Sequence, residues 1–416
     1  MMLKNVLDDL DPKLTRVFLP WAIRHPRYLR SFIHLARSYT HTKRLREEAQ
    51  LSNLMVPPFL ILSITSRCNL HCAGCYAAAV GTISYESPRV LTPTILQLNR
   101  EQWRKVISEA SELGVFCFII AGGEPFLFPG LLELFEEFKE RFFLVFTNGT
   151  ALTEADFARV KHLANVAIIV SIEGGQDVTD ERRGQGVYEQ ASTALQRLGK
   201  MGVLTGISVT IDRLNYRHWM DATQLDRFIA RGVRLGFLIE YIPTTPELAS
   251  SSQPESSGGG IIDAVNMNQR AMNDDHGLML TREERAMFRE HILRYRAAKP
   301  IYLIHSPGDE EFFGGCVSAG RGFAHVTPAG DLTPCPVSNV ATHNLLASSL
   351  REGLASPLFR EIRANEHLLE TEGTPCGLFA HPREVDALAR AVNAYRTDYR
   401  ERRSEVAFLH PPEALP

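Results

Sequence analysis

Three cysteines, Cys68, Cys72 and Cys75, stand in the run Arg67-Cys68-Asn69-Leu70-His71-Cys72-Ala73-Gly74-Cys75-Tyr76, and no fourth cysteine lies near them. Three thiolates at this spacing suit an iron–sulfur cube with one iron left open. A structural zinc site wants four protein ligands, and a cluster used only for electron transfer usually has four cysteines. An open iron can take a small molecule as its last ligand. The spacing alone also allows a zinc ion completed by His71, or three thiols packed separately in a core.

Other residues with chemical capacity follow. Gly122-Gly123-Glu124-Pro125 sets two glycines, which let a ligand approach the backbone, beside a carboxylate that can accept from an ammonium group; an ordinary turn would use the same residues. Asn148 lies in Thr147-Asn148-Gly149, a pattern shared by ligand loops and plain Asn-Gly turns. Cys316, Cys335 and Cys376 are scattered through the C-terminal part of the chain. Cys117, among Phe116, Phe118 and Ile119, reads as a packed core thiol.

Alternating strand and helix patterns must position these residues. Strands are expected at 59–65, 115–120, 142–147, 166–172, 204–211 and 235–242, with helices at 101–113, 131–140, 154–162, 188–201 and 219–231 between them. Six βα units in succession predict an α/β fold, a partial (β/α)6 TIM-type barrel of parallel strands. The cysteine run follows the first strand and Gly-Gly-Glu-Pro the second, so both fall on the strands' C-terminal face, where such barrels carry their chemistry. The expected organisation is a helical basic arm (1–57), the barrel (58–243), a loop and bridging helix (244–300), a small irregular domain (301–381), and a C-terminal helix and tail (382–416). The loop is rich in Ser, Gly and Pro over 244–260, and the last two helices are placed at 282–298 and 384–402.

Composition narrows the class. Of 416 residues, 44% are hydrophobic and 22% charged, as in soluble globular proteins. A net charge of −3 argues against general nucleic-acid binding, and seven cysteines are too few for a disulfide framework. No signal-peptide start and no apolar run of spanning length is seen, which makes the cytoplasm the expected compartment. Between Asp11 and Arg46, nine Lys or Arg residues stand against one acidic residue, while Leu29, Phe32, Ile33, Ala36 and Tyr39 recur at helical spacing. Such an arm suits docking on the barrel with a solvated basic face, or peripheral contact with an anionic membrane.

The pairing of the cysteine run after the first strand with Gly-Gly-Glu-Pro after the second resembles the radical S-adenosylmethionine (SAM) enzymes, over roughly residues 59–243. The resemblance implies that Cys68, Cys72 and Cys75 hold a 4Fe–4S cluster whose open iron takes SAM's amino and carboxylate groups. It implies that Gly122, Gly123 and Glu124 contact the methionine part of SAM, and that Ser171 and Glu173 match polar positions near the ribose. Arg183, in Asp180-Glu181-Arg182-Arg183-Gly184, resembles a segment of peptide- and tetrapyrrole-modifying members, and a surface ion pair is its other reading. Many members place an aromatic residue against adenine just before the third cysteine; here that position is Gly74, and Tyr76 is the aromatic at hand. The implied chemistry is reductive cleavage of SAM to methionine and a 5′-deoxyadenosyl radical that takes hydrogen from an unactivated C–H bond. A ferredoxin or flavodoxin is the implied electron donor.

Cys316 in Gly314-Gly315-Cys316, Cys335 in Thr333-Pro334-Cys335-Pro336 and Cys376 in Pro375-Cys376-Gly377 resemble a shortened SPASM or twitch extension, which implies one auxiliary iron–sulfur cluster. No fourth cysteine completes it. His325, His343 or His381 is a candidate ligand, an iron open to substrate is another reading, and buried structural thiols are a third. The expected function is radical SAM chemistry on a peptide, a protein or a comparably large metabolite. The alternatives are a lipid at the membrane surface, a tetrapyrrole, and an iron–sulfur or zinc protein that binds without turnover. Glu240 and Tyr241, at the end of the sixth strand, and His305, Asp309 and Glu310 are candidates for either substrate contacts or loop structure. The catalytic residues are not legible at this level.

Overall fold

The computed structural model describes residues 12–85, 97–242, 277–371 and 374–398. The loop expected at 244–260 and the tail beyond 398 lie outside the described residues. Two helices open the chain, α1 (Pro12–Arg24) and α2 (Pro26–Leu51). Six strands follow: β1 (Phe59–Thr65), β2 (Cys117–Gly122), β3 (Phe142–Thr147), β4 (Val166–Ser171), β5 (Leu204–Ile211) and β6 (Val233–Glu240). Each pairs in parallel with the next, in chain order. The helices between them include α3 (Arg100–Leu113), α4 (Leu131–Glu137), α5 (Glu154–Val160), α6 (Gln176–Arg183), α7 (Val187–Lys200) and α8 (Ala222–Ala230). Capping boxes at Asn99 and Thr153 start α3 and α5, satisfying backbone N–H groups that the first turn leaves open. This is the α/β partial barrel that the alternation predicts.

Alternate strand residues serve two cores. Phe143 and Val145 of β3 pack beneath the helices with Phe135 of α4. Phe142, Leu144 and Phe146 face the opposite side, with Ala167 and Ile169 of β4, Leu204 of β5, and Leu235 and Phe237 of β6. That side receives Phe18, Trp21 and Ala22 of α1 and Tyr28 of α2. The arm then crosses the N-terminal ends of the strands: Arg46 Nη1 donates to Gly114 O (2.6 Å) and Ser38 Oγ to Glu140 O (2.7 Å), just ahead of β2 and β3. Trp21, Ala22, Tyr28, Leu35 and Ala36 of the arm are buried, while Ile23, Leu29, Arg24, Arg37 and Arg44 are exposed. No helix among the described residues is long and apolar enough to cross a membrane.

The helix α9 (Arg282–Ala298) leads into four further strands, β7 (Tyr302–Ser306), β8 (Phe323–Val326), β9 (Asp331–Thr333) and β10 (His343–Asn344). β7 extends one edge of the sheet beside β6, and β8 the other edge beside β1, both in parallel; β9 and β10 continue antiparallel beyond β8. The order is β10-β9-β8-β1-β2-β3-β4-β5-β6-β7, an open sheet. Residues 307–322 thus run from one edge of the sheet to the other. Sequence pattern shows little over 306–336 because β8 and β9 are only four and three residues long, too short for alternation to register. The helix expected over 384–402 is also shorter, Pro382–Ala391. Asn393 turns the chain at φ 55°, and Tyr395–Arg396 pairs with Val340–Ala341.

Candidate active site

The cysteine loop leaves the C-terminal end of β1 and lies directly on the end of β2. Two glycines permit the approach. A Cβ on Gly122 (φ 118°) would stand 2.6 Å from Thr65 O, and one on Gly123 would stand 2.0 Å from Arg67 O and 3.1 Å from Cys68 N. With no side chain in the way, Gly123 N donates to Thr65 O and Glu124 N to Arg67 O, each at 2.8 Å. Both amides are used inside the protein, so what this segment can offer an ammonium group is oxygen.

Glu124 is buried and ties a third loop to the first two. Its Oε1 accepts from Phe126 N (3.1 Å) and Thr147 Oγ1 (2.7 Å), and its Oε2 from Asn148 N (2.8 Å). Burial pushes its carboxyl up to about 7, against these hydrogen bonds. Asn148 Nδ2 in turn donates to Asn69 Oδ1 (2.9 Å) and Asn69 Nδ2 to Thr150 Oγ1 (2.8 Å), so the β3 loop also grips the cysteine loop. Asn69 carries no signal in the sequence beyond its place between two cysteines.

The other flank is built from β4 and α6. Ala73 N donates to Arg182 O (2.8 Å). Glu173, fully buried, pairs with both Arg182 and Arg183, accepting from Arg183 Nε at 2.8 Å, and its Oε2 accepts from Thr210 N (2.9 Å). Burial alone would raise this carboxyl, but the two guanidinium groups hold it below the usual carboxylate range. The same two arginines favour the charged form of Cys72, whose thiol burial otherwise raises. Ser171 is half-buried at the end of β4, in register with Ser208. Tyr76 is packed in far enough that burial raises its hydroxyl. Gly74 has φ 63°, and a Cβ there would stand 3.0 Å from Cε2 of Tyr241, so a tyrosine from the end of β6 packs where the resemblance places an aromatic at position 74.

The cysteine loop suits a cluster by its donor set. All seven cysteines are free of disulfides. Burial lifts the Cys68 thiol to about 12, and a cationic metal centre is what would keep it a thiolate. Among the described residues, the only group of three potential ligands whose donor atoms all lie within 4.8 Å of one another is His367, His381 and Glu384. In neither cysteine trio do all three sulfurs lie that close to one another. A single tetrahedral zinc would hold three sulfurs roughly 3.8 Å apart, so neither trio stands as a closed zinc site.

Glu240 and His305 belong to a buried network between β6, β7 and α9. Glu240 Oε2 accepts from Arg285 Nε (2.6 Å) and its Oε1 meets His305 Nε2 (3.1 Å). Asp309 receives Arg296 Nη1 at 2.6 Å.

Cys316, Cys335 and Cys376 are buried and come together, each the electrostatic neighbour of the other two. Burial raises all three thiols, Cys335 to about 12. Gly315 and Gly377 bring two of the loops onto one backbone segment: their Cβ atoms would stand 2.2 Å from Leu369 O and 2.8 Å from Glu370 O. The three histidines considered as fourth ligand are engaged elsewhere. His325 meets Ser63 Oγ (2.8 Å) and Thr333 Oγ1 (2.7 Å), and burial lowers it to about 3. His343 meets Thr342 Oγ1 (3.0 Å), and His381 meets Glu384 Oε1 (3.3 Å).

Residues 62–225 match the model of the radical SAM superfamily. The mycofactocin maturase MftC of Mycolicibacterium smegmatis is 24% identical over 319 residues, covering 74% of this chain and 73% of that protein. The Fe-coproporphyrin III synthase of Methanosarcina barkeri is 28% identical, but over 163 residues, 38% of each chain. Among solved structures, SuiB of Streptococcus suis bound to the precursor peptide SuiA shares the fold with a TM-score of 0.54 at 16% identity, covering 83% of this chain and 74% of that one.

Proposed function

We propose that this chain, a radical SAM enzyme, carries out its SAM-derived radical chemistry on a peptide. The observation that carries the reading is the cysteine loop locked between Gly122-Gly123-Glu124 on one side and the Glu173–Arg182–Arg183 group on the other. Cys68, Cys72 and Cys75 would hold the 4Fe–4S cluster. Oxygens of the Gly122–Glu124 segment would receive the amino group of SAM, and Ser171 would face its ribose. Tyr241 and Tyr76 are the aromatic surfaces near Gly74 for its adenine. Bound there, the cluster and SAM together supply the radical that takes a hydrogen atom from the substrate. Glu173 acts at one remove, by holding Arg182 against Ala73 and two positive charges near Cys72. Cys316, Cys335 and Cys376 would hold an auxiliary cluster, and a ferredoxin or flavodoxin would supply electrons.

A peptide is favoured because the similarities that cover about three quarters of the chain or more, further than the barrel alone, are those to a maturase and to a fold solved with a precursor peptide; the tetrapyrrole enzyme matches over a much shorter stretch. The test is release of 5′-deoxyadenosine from SAM by anaerobically reconstituted protein with dithionite, beside a variant with Cys68, Cys72 and Cys75 changed to alanine. Release by the wild type alone supports the SAM site. A mass change in a candidate precursor peptide after turnover supports the substrate class; cleavage and substrate turnover on porphyrins with no peptide modified would overturn it.

A further inference from the structure

We propose that the carboxylate of Glu310 is the fourth protein ligand of the auxiliary cluster, completing a three-cysteine, one-carboxylate donor set with Cys316, Cys335 and Cys376. The inference rests on the reading of those three cysteines as cluster ligands. Glu310 opens a short 3-10 turn, Glu310–Phe313, on the stretch that runs from β7 to β8. It is the charged neighbour of each of the three thiols, and its carboxylate accepts from the thiol of Cys316. Ser306 Oγ donates to its Oε1 (2.9 Å) and Val317 N to its Oε2 (3.3 Å).

A second observation points the same way. The acids on either side of Glu310 have cationic partners: Asp309 pairs with Arg296, and Glu311 with Arg289. Glu310 is half-buried, yet among the described residues no lysine or arginine pairs with it. A carboxylate drawn out of water without a cation is costly, and the neutral thiols beside it supply no counter-charge. Cluster iron removes the difficulty for all four groups at once. The Ser306 hydroxyl would then hold the carboxylate in place from behind, as groups behind metal ligands commonly do. Of the candidate histidines, His325 has both ring nitrogens engaged, His381 lies with His367 and Glu384, and His343 meets Thr342 through Nδ1.

The experiment uses full-length protein with Cys68, Cys72 and Cys75 changed to alanine, so that only the auxiliary site can bind. Chains carrying Glu310 unchanged, E310A, E310Q or E310C are reconstituted anaerobically with iron and sulfide. Iron and labile sulfide per chain are measured, with electron paramagnetic resonance of the oxidised and reduced forms. Circular dichroism before reconstitution checks the fold. The expected result is about four irons with Glu310 present, loss of one iron and a three-iron signal in E310A and E310Q, and about four irons with altered spectra in E310C. E310A with the iron content and spectra of its parent overturns the proposal. Loss of all iron in E310A and E310C alike also overturns it, because the residue then supports the fold and not the metal. A parent that binds no iron shows that the three cysteines are not cluster ligands, and the proposal falls with that reading, while the SAM site stays untouched by this result.

Discussion

Changing Gly123 to alanine tests whether the Gly-Gly pair exists to bring two loops together. The added Cβ would lie 2.0 Å from Arg67 O, 2.5 Å from Arg67 C and 3.1 Å from Cys68 N. Contacts under 3.0 Å are essentially never seen for a Cβ, so the Arg67–Cys68 peptide must retreat by at least 3.0 − 2.0 = 1.0 Å. That retreat breaks the Glu124 N to Arg67 O hydrogen bond (2.8 Å). Overpacking of this size costs about 1–3 kcal/mol, and the lost hydrogen bond about 1 more. Gly199→Ala supplies the comparison: its Cβ would stand 2.3 Å from Arg231 O, where the last turn of α7 meets the end of α8, away from the cysteines. Urea unfolding of the metal-free proteins should show both variants destabilised by about 2–4 kcal/mol. Only Gly123→Ala should then lose iron at the cluster site and affinity for SAM, measured in a background with Cys316, Cys335 and Cys376 changed to alanine. If Gly123→Ala keeps parental stability, iron content and SAM affinity, the loops are not held by that contact. If Gly199→Ala loses iron equally, the loss reports general destabilisation.

Three further outcomes are expected. Glu124 has a folded value of about 7 against 4.5, so between those values the folded state keeps a proton that the unfolded chain has released. Its contribution is therefore full below 4.5 and lost as pH rises through about 7, a fall of roughly 3 kcal/mol in the metal-free protein. Glu124→Gln should flatten the stability–pH curve over that window, and an unchanged slope refutes the assignment. Glu173→Gln leaves two enclosed guanidinium groups without their counter-charge and should cost about 3–5 kcal/mol in urea unfolding; a loss under about 1 would mean water reaches the pair. Trp21→Ala empties the space where α1 fills the barrel and should cost about 3–5 kcal/mol without lowering iron content, because the arm sits at the opposite ends of the strands from the cysteines.

The six barrel strands were legible because each carries a run of β-branched and aromatic residues between helices with clear start signals. β7 to β10 were not, since each is short, and β7 and β8 are completed by pairing with distant strands of the barrel. The identities of the site residues were visible as motifs, but their partners were not. Nothing local says that the second glycine of Gly-Gly-Glu-Pro faces Arg67 O, or that Tyr241 covers Gly74. Glu124 reads in sequence as an acceptor for a ligand, yet three of its lone-pair sites are filled by Phe126, Thr147 and Asn148. Glu310 was visible only as one acid in a run of three; its isolation from cations appears once Arg296 and Arg289 are seen to choose its neighbours.

The acids at the mouth of the barrel explain why no catalytic residue can be read from the sequence. Glu124 after β2, Glu173 after β4 and Glu240 at the end of β6 are all buried. Each joins neighbouring elements: Glu124 holds the β3 loop, Glu173 holds α6 and β5, and Glu240 holds β7 and α9. A general base needs a carboxylate within reach of substrate and free to change protonation. Glu173 and Glu240 are instead tied into buried charge networks, and Glu124 faces three protein donors. Side chains so committed are suited to setting loop positions to within a fraction of an ångström. That is the share of the work left to the protein when a bound cofactor supplies the reactive species. The same three glutamates would be poor choices in an acid–base hydrolase, and they are good ones for the radical chemistry proposed above.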